Sequence, residues 1–244
     1  KDLIKYINSL VVDETFDLFI KKSANFLDLK KETILNESKG FIFDNFINRY
    51  GKFNEKISNS YLRYFLTNII FLIYVFAFPK KKPDIRKKYD LVVDLTKNTQ
   101  YDYFDKIAKK IKTIFFLDKK DKRFNYFIIN KFSNYTISKK TNSFFSFQLF
   151  ILKWFYLSYR ERINFNYILF HFFKLYFRNH SIFQNIEAKF LIQERYTNTS
   201  PIKNEIFKNY GGILSTVIQR NIFQRNGPGM FMYTDVVFSL GKET

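Results

Sequence analysis

The stretch AKFLIQERYTNTSPIKNEIFKNYGGILSTVIQ, residues 188–219, carries the pattern that decides the fold. It runs through an apolar segment, a polar break, an amphipathic segment, two glycines and a second apolar segment. Ser200 is a good N-cap, and the proline after it suits the first helical turn, where a missing N–H costs nothing. The first of the two glycines fits the left-handed residue that often follows a helix. We therefore predict a strand over 188–193, a helix that starts at residue 201, and a strand over 213–219.

The faces of this helix follow from its spacing. Apolar side chains recur at every fourth position, which predicts a buried stripe of Ile202, Ile206 and Tyr210. The polar side chains between them are predicted to point outward: Lys203, Asn204 and Lys208. A strand, a helix and a second strand in this order are typical of a parallel sheet with a crossover helix.

The remainder of the chain adds elements of the same kinds. Residues 1–78 show helical periodicity, and the proline-bounded segment 79–83 ends that region. A second strand, helix and strand are predicted at 89–95, 101–111 and 113–117. The other predicted elements are a short strand at 126–129, two aromatic helices at 144–159 and 165–177 that are buried on more than one side, and a last strand at 235–240.

The composition is strongly basic. The 244 residues include 41 Lys and Arg against 22 Asp and Glu, a formal net charge of +19. Such a charge can hold nucleic acid by displacing counterions from phosphates. Lys outnumbers Arg about three to one, however, and Lys, Asn, Ile, Phe and Tyr are the residues that AT-rich codons specify. We therefore favour coding bias over a selected polyanion site, and nucleic acid is the less favoured partner. Cysteine is absent, which excludes disulfides and thiolate metal sites.

One apolar segment, residues 64–78, is a candidate for membrane contact. Its 15 or so residues fall short of the roughly 20 that cross a bilayer, so we predict a buried or interfacial helix. A basic cluster follows it and consists of Lys80, Lys81, Lys82, Arg86, Lys87 and Lys88. This cluster, Lys80–Lys88, can lie against anionic lipid headgroups, and the alternative, which we favour, is a core helix followed by a solvated linker.

Polar side chains gather where the predicted parallel strands end. In an open parallel sheet, ligands bind outside the carboxyl ends of the strands. The residues at these ends, or in the loops that follow, are Asp94, Asn98, Asp118, Glu194, Arg195, Tyr196, Asn198, Gln219 and Asn221. The free N–H groups at the start of the Ser200 helix point to the same rim and favour phosphate or hydroxyl oxygens. The alternative is that these residues are ordinary caps and loop residues.

Other chemistries lack their sequence signals. Neither a G-x-G-x-x-G nor a G-x-x-x-x-G-K-[ST] motif is present, and no Asp-x-Asp pair occurs. His171 and His180 are the two histidines, and neither has an acidic or histidine neighbour at ligand spacing in the sequence. We therefore predict no metal site. The segment Glu187-Ala-Lys189 offers a carboxylate and a lysine at a nuclease-like spacing, but a match of three residues carries little information.

The carboxyl-terminal quarter resembles a known protein group. The order of an ERY loop, the SPIKNEIFKNYGG helix, the STVIQ strand, a loop and the TDVVFSLGKET segment is similar to the end of the amino-terminal Rossmann-like domain of GT-B-type glycosyltransferases of bacterial surface and capsular polysaccharide synthesis. The resemblance covers about 60 residues, 188–244. That group often has Gln-His-Gly after the strand, whereas this chain has Gln219, Arg220 and Asn221.

The resemblance implies a fold, a reaction and a location. Together with the periodicity, it gives the predicted fold class: α/β, a Rossmann-like parallel sheet flanked by helices, with an N-terminal helical layer over 1–82 and the Rossmann-like domain over 83–244. The chain would be the acceptor half of a cytoplasmic enzyme, at the inner face of the membrane, that transfers a sugar to a glycan acceptor. Glu194 or Asp94 is then the candidate catalytic base. The implied substrate-binding residues are Asn98, Arg195, Tyr196, Asn198, Ser200, Gln219 and Asn221.

The ends of the chain bear on the cofactor. The sequence opens on Lys1 rather than Met and stops shortly after an apolar run, which suggests a piece of a longer protein. The resemblance implies that this chain itself holds no cofactor and that the nucleotide-sugar donor binds mainly a second domain after Thr244. Two alternatives remain open: a basic nucleic-acid-binding protein, and a non-catalytic scaffold of the same fold.

Overall fold

The computed structural model describes residues 13–47, 53–77, 85–95, 102–117, 126–128, 143–193, 199–218 and 234–238. Over these residues the chain is an α/β protein that divides into two compact units. The helical unit draws on residues 13–47, 53–77 and 143–176. The sheet unit draws on the rest of the described residues, including residues 177–183 of the helix that begins at Phe165.

The helices of the described residues are α1 (Glu14–Leu27), α2 (Lys31–Phe46), α3 (Glu55–Ser58), α4 (Tyr61–Ala77), α5 (Asp102–Ala108), α6 (Phe144–Glu161), α7 (Phe165–Phe183) and α8 (Pro201–Asn209). The strands are β1 (Lys87–Lys88), β2 (Leu91–Asp94), β3 (Thr113–Leu117), β4 (Tyr126–Ile128), β5 (Ile186–Glu187), β6 (Phe190–Gln193), β7 (Leu214–Ile218) and β8 (Val236–Phe238). None of the helices in the described ranges combines the length and the apolar character needed to cross a membrane.

The helical unit is held together by aromatic packing. Helix α1 begins where the Asp13 carboxylate accepts a hydrogen bond from the Phe16 backbone N–H at 2.8 Å. Its Phe19 is fully buried, and its ring centroid lies 4.8 Å from that of Trp154 on α6 and 4.8 Å from that of Phe165 on α7. Edge-to-face and tilted pairs of this kind add to the stability that area burial provides.

The two aromatic helices differ in how far they are buried. On α7, apolar side chains all around the helix are buried, which confirms the prediction. On α6 the prediction is wrong. Phe147, Ile151 and Trp154 are buried on one side of the helix, whereas the opposite side exposes large apolar side chains. A helix packed from one side leaves the rest of its circumference in solvent, and aromatic content alone does not distinguish the two cases.

Six strands form one parallel sheet with the order β4-β3-β2-β6-β7-β8. Every pairing between neighbours is parallel, as predicted. Numbered by their order along the chain, these six strands lie as 3-2-1-4-5-6. The direction of chain progression therefore reverses between β2 and β6. Strands β1 and β5 form a separate parallel pair.

The sheet has a different cover on each face. Leu91, Val93 and Leu95 point to the face that is covered by α5, where Phe104 is fully buried. The opposite face carries Phe116, whose ring centroid lies 5.9 Å from that of Phe183 at the end of α7. Side chains alternate between faces along each strand, so Val92 and Asp94 share this second face with Phe116.

Arg86 has a structural role that the sequence did not indicate. Its guanidinium donates hydrogen bonds to the backbone carbonyls of Phe183, Ile186 and Tyr210 at distances from 2.6 to 3.1 Å. It also lies over the Tyr210 ring. Arg86 is therefore bound to the ends of α7 and α8, and contact of the Lys80–Lys88 cluster with anionic lipid stays a prediction. Lys87 and Lys88 are exposed, whereas Lys80 to Lys82 lie outside the described residues.

Two glycines end α8 for two different reasons. Gly211 has a φ of 94°, in the left-handed region that was predicted for it. Gly212 leaves room for a neighbour, because a side chain at this position would collide with the Phe207 ring. The backbone N–H of Gly212 donates to the Phe207 carbonyl at 3.0 Å, which closes the end of the helix.

Candidate functional site

The carboxyl ends of β2 and β6 meet at the point where the strand order reverses. Asp94 is the last residue of β2 and Gln193 the last residue of β6, and the two are direct partners in the parallel ladder. Side chains of paired residues on adjacent parallel strands point to the same face. Asp94 and Gln193 therefore lie side by side at one edge of the sheet, where open parallel sheets bind ligands.

The first turn of helix α8 contacts Asp94. Lys203 Nζ lies 2.5 Å from Asp94 Oδ2, and the two side chains are 4% and 8% exposed. Since Asp94 points toward α8, its ladder partner Gln193 points to the same side. The four residues Asp94, Gln193, Ser200 and Lys203 are called the edge site below.

The start of α8 is built as predicted. Ser200 Oγ accepts a hydrogen bond from the backbone N–H of Lys203 at 3.2 Å, and Pro201 occupies the first turn. The partial positive charge at a helix amino terminus disfavours a cation there, so a buried ammonium in this first turn needs an anion nearby. Asp94 supplies that anion.

Gln193 is the most unusual member of the edge site. It is completely buried, and within the described part of the chain neither Nε2 nor Oε1 of its carboxamide has a hydrogen-bond partner. Each unsatisfied buried polar group costs about 1–3 kcal/mol. Such a group in a protein calls for a reason, and a ligand that pairs with it is one.

The structure brings together two of the residues predicted for the site. Asp94 and Ser200 are joined through Lys203, whose ammonium contacts the first and whose backbone N–H contacts the second. The other residues predicted for the site lie outside the described residues, and they are Asn98, Glu194, Arg195, Tyr196, Asn198, Gln219 and Asn221. Asp118, predicted at another strand end, also lies outside them.

Two members of the edge site, Lys203 and Gln193, were not predicted from the sequence. Lys203 and Asn204 were predicted to point outward, and that prediction is wrong because they are 3% and 2% exposed. Phe207 is also buried, and its ring lies 5.3 Å from that of Phe183, so the buried face of α8 is wider than the predicted stripe. The i, i+4 spacing of Lys203 and Phe207 was the available signal. For Gln193, the available signal was a polar residue at the end of an apolar strand.

The two histidines have structural contacts. His171 Nε2 lies 2.7 Å from Glu37 Oε1, and its ring stacks on Phe41 with centroids 4.1 Å apart. His180 Nδ1 lies 3.2 Å from the Tyr210 hydroxyl, and burial lowers the pKa of His180 to about 4. Across the described ranges, no cluster of three or more His, Asp or Glu side chains is placed to hold a metal ion.

Comparison with protein-family profiles, curated proteins and solved structures returns no match for this chain.

Proposed function

We propose that the chain is a Rossmann-like, acceptor-binding domain of a glycosyltransferase-like enzyme, and that the edge site binds a sugar of the acceptor. The strand order 3-2-1-4-5-6 and its reversal between β2 and β6 support this, because Rossmann-type sheets bind ligands at that point. The resemblance of residues 188–244 to GT-B-type enzymes supports the reaction class. In this proposal the nucleotide-sugar donor is held mainly by another domain.

The buried carboxamide of Gln193 is the observation that carries the proposal. A carboxamide offers donors on Nε2 and an acceptor on Oε1, and a sugar hydroxyl is both a donor and an acceptor. A pair of neighbouring hydroxyls therefore satisfies both ends of the Gln193 side chain. Inorganic phosphate satisfies the donor end alone, since at neutral pH it is mainly an acceptor. The ammonium of Lys203 and the carboxylate of Asp94 provide further partners for hydroxyl groups.

Asp94 and Glu194 remain the candidate bases. Lys203 contacts Oδ2 of Asp94, so Oδ1 is the oxygen that would accept a proton from an acceptor hydroxyl. A base must come within hydrogen-bond reach of that proton, at about 2.6–3.2 Å. Glu194 directly follows Gln193 in the sequence and stays a candidate from the sequence alone.

A Gln193→Leu variant tests the proposal, because it should stabilise the protein without sugar and remove the stabilisation that sugar provides. Loss of the unpartnered amide should raise the free energy of unfolding by about 1–3 kcal/mol in the absence of sugar. The same change should abolish sugar binding. The measurement is thermal unfolding with glucose, galactose, N-acetylglucosamine and short oligosaccharides of each, since a sugar at about 100 times its Kd stabilises the native protein by about 2.7 kcal/mol.

Gln148→Leu is the matched control, because it makes the same chemical change on α6 and should leave the sugar response intact. The proposal is wrong if no sugar raises the Tm of the parent chain, or if Gln193→Leu keeps the full response. Nucleic-acid binding would instead be favoured if the chain binds duplex DNA with an affinity that falls steeply as salt is added, and if no sugar raises its Tm.

A further inference from the structure

Helices α4 and α6 expose large apolar side chains in regular order. On α4 they are spaced by four, four and three residues: Leu62, Leu66, Ile70 and Ile73. On α6 they alternate steps of four and three: Phe145, Leu149, Leu152, Tyr156 and Tyr159. These nine side chains are between 48% and 70% exposed. Spacings of three and four place each set on one side of its helix.

The two sets form one continuous surface. Helices α4 and α6 pack antiparallel, with ring centroids 4.8 Å apart for Tyr61 and Tyr159, 4.4 Å for Phe65 and Phe155, and 5.5 Å for Phe76 and Phe144. Leu66 follows Phe65, and Tyr156 follows Phe155, each by one residue or about 100° of rotation. Because the helices are antiparallel, the same rotation turns both sets to the same side of the pair. We call this the α4–α6 surface.

The size of this surface is unusual. Nine large side chains, each about half exposed, present more than the few hundred Å² that contiguous apolar patches on monomeric proteins generally cover. Their interior neighbours Leu72, Val75, Ile151 and Trp154 are buried, so the exposed residues are an outer layer in addition to the core. Such patches mark contact with another protein or with lipid.

The charges on the two helices decide between these occupants. The charged residues of α4 and α6 are Arg63, Lys153, Arg160 and Glu161. Glu161 accepts a hydrogen bond from Arg160 at 2.6 Å. Arg63, Lys153 and Arg160 are exposed, and on each helix they adjoin the apolar side chains on the flank away from the partner helix.

This arrangement fits an anionic bilayer. Long basic side chains at the margins of an apolar face reach the headgroups while the apolar residues enter the acyl boundary, and Tyr side chains suit that boundary. A second copy of the chain would bring its own basic margins and a net charge of +19 against the first. Charge therefore favours lipid over self-association.

We propose that the α4–α6 surface docks on an anionic membrane surface, with both helices lying parallel to the bilayer plane. This inference is independent of the edge site, since it rests on residues of the helical unit alone. Neither helix crosses the bilayer; the 17 residues of α4 are short for that.

The test is flotation of the whole chain with two kinds of vesicle, phosphatidylcholine alone and phosphatidylcholine with about a third phosphatidylglycerol. We expect binding to the anionic vesicles that weakens as salt is added. The variant Ile70→Gln/Tyr156→Gln changes the two most exposed positions of the surface and should lower the partition coefficient about tenfold or more for each side chain removed. Leu62→Gln/Leu149→Gln is a second variant with the same expected direction.

Ile85→Gln/Ile213→Gln is the matched control, because these residues are 83% and 62% exposed and belong to the sheet unit. It should bind vesicles like the parent. Equal loss in this control, or unchanged binding of both surface variants, would overturn the proposal. So would a dimer of the parent chain that Ile70→Gln/Tyr156→Gln dissociates without any change in vesicle binding, since the occupant would then be a second copy.

Discussion

The ion pair between Lys203 and Asp94 makes a sharp prediction about stability. The pair is almost completely buried, with Nζ 2.5 Å from Oδ2. Replacing Lys203 with Met keeps an unbranched side chain that is one heavy atom shorter but leaves the Asp94 carboxylate buried without its counter-ion. Removing one partner of a buried pair costs about 3–5 kcal/mol, because an uncompensated charge remains. We expect Lys203→Met to lower the free energy of unfolding by that amount.

The double variant Asp94→Asn/Lys203→Met separates lost attraction from stranded charge. It removes both charges at once, so it should cost about 0.5–3 kcal/mol less than the sum of the two single variants, the range of coupling for residues in direct contact. The assay is urea unfolding followed by far-UV circular dichroism, which reports on all helices. Fluorescence of Trp154, the single tryptophan, reports on the helical unit and serves as a second probe.

Lys208→Met is the matched control on the same helix. Lys208 pairs with Asp235, and their side chains are 38% and 27% exposed. A pair in solvent contributes about 0–1 kcal/mol, so the control should lose no more than that. If Lys203→Met also loses less than about 1 kcal/mol, the carboxylate of Asp94 is not stranded by the change and the electrostatic description of the edge site is wrong.

Two further predictions concern α7 and its neighbours. Arg86→Met should cost about 3 kcal/mol, since the carbonyls of Phe183, Ile186 and Tyr210 lose a charged donor, and Arg86→Lys should recover part of the loss because one ammonium cannot reproduce the planar fork. Urea unfolding measures both; an Arg86→Lys variant as stable as the parent would contradict the need for the planar fork. Burial lowers the pKa of His180 from 6.5 to about 4, so the unfolded chain binds more protons between these pH values. The contribution of His180 is thus fully present above pH 6.5 and is lost as the pH falls toward 4, by up to about 3 kcal/mol. His180→Asn should flatten this part of the stability–pH profile, and an unchanged slope would mean that other groups cause it.

The local elements were predictable because their signals are local. β3 was predicted at its observed bounds, since an apolar run between Lys112 and Asp118 leaves little choice. The start of α8 was predicted from its Ser-Pro cap. α7 runs six residues past the predicted end. The prediction stopped too early because Arg178, Asn179 and His180 interrupt the apolar pattern, although Asn179 is in fact buried.

The edge site depends on information that no local window contains. Asp94 and Gln193 are far apart in sequence, and only the placement of β6 beside β2 makes them neighbours. The sequence predicted a solvent-facing Lys203, because only the tertiary placement of α8 brings its ammonium to the Asp94 carboxylate. Strand ends could be predicted to gather at one edge, but which two strands adjoin is a tertiary property.

The double glycine after α8 constrains how this chain can vary. A side chain at Gly211 must tolerate a left-handed backbone, which Asn does at small cost, so that position can change by itself. A side chain at Gly212 would collide with the ring of Phe207, so a change there needs a smaller residue at 207 in the same chain. Among natural variants of this protein, positions 207 and 212 should therefore be substituted together, whereas position 211 should drift alone.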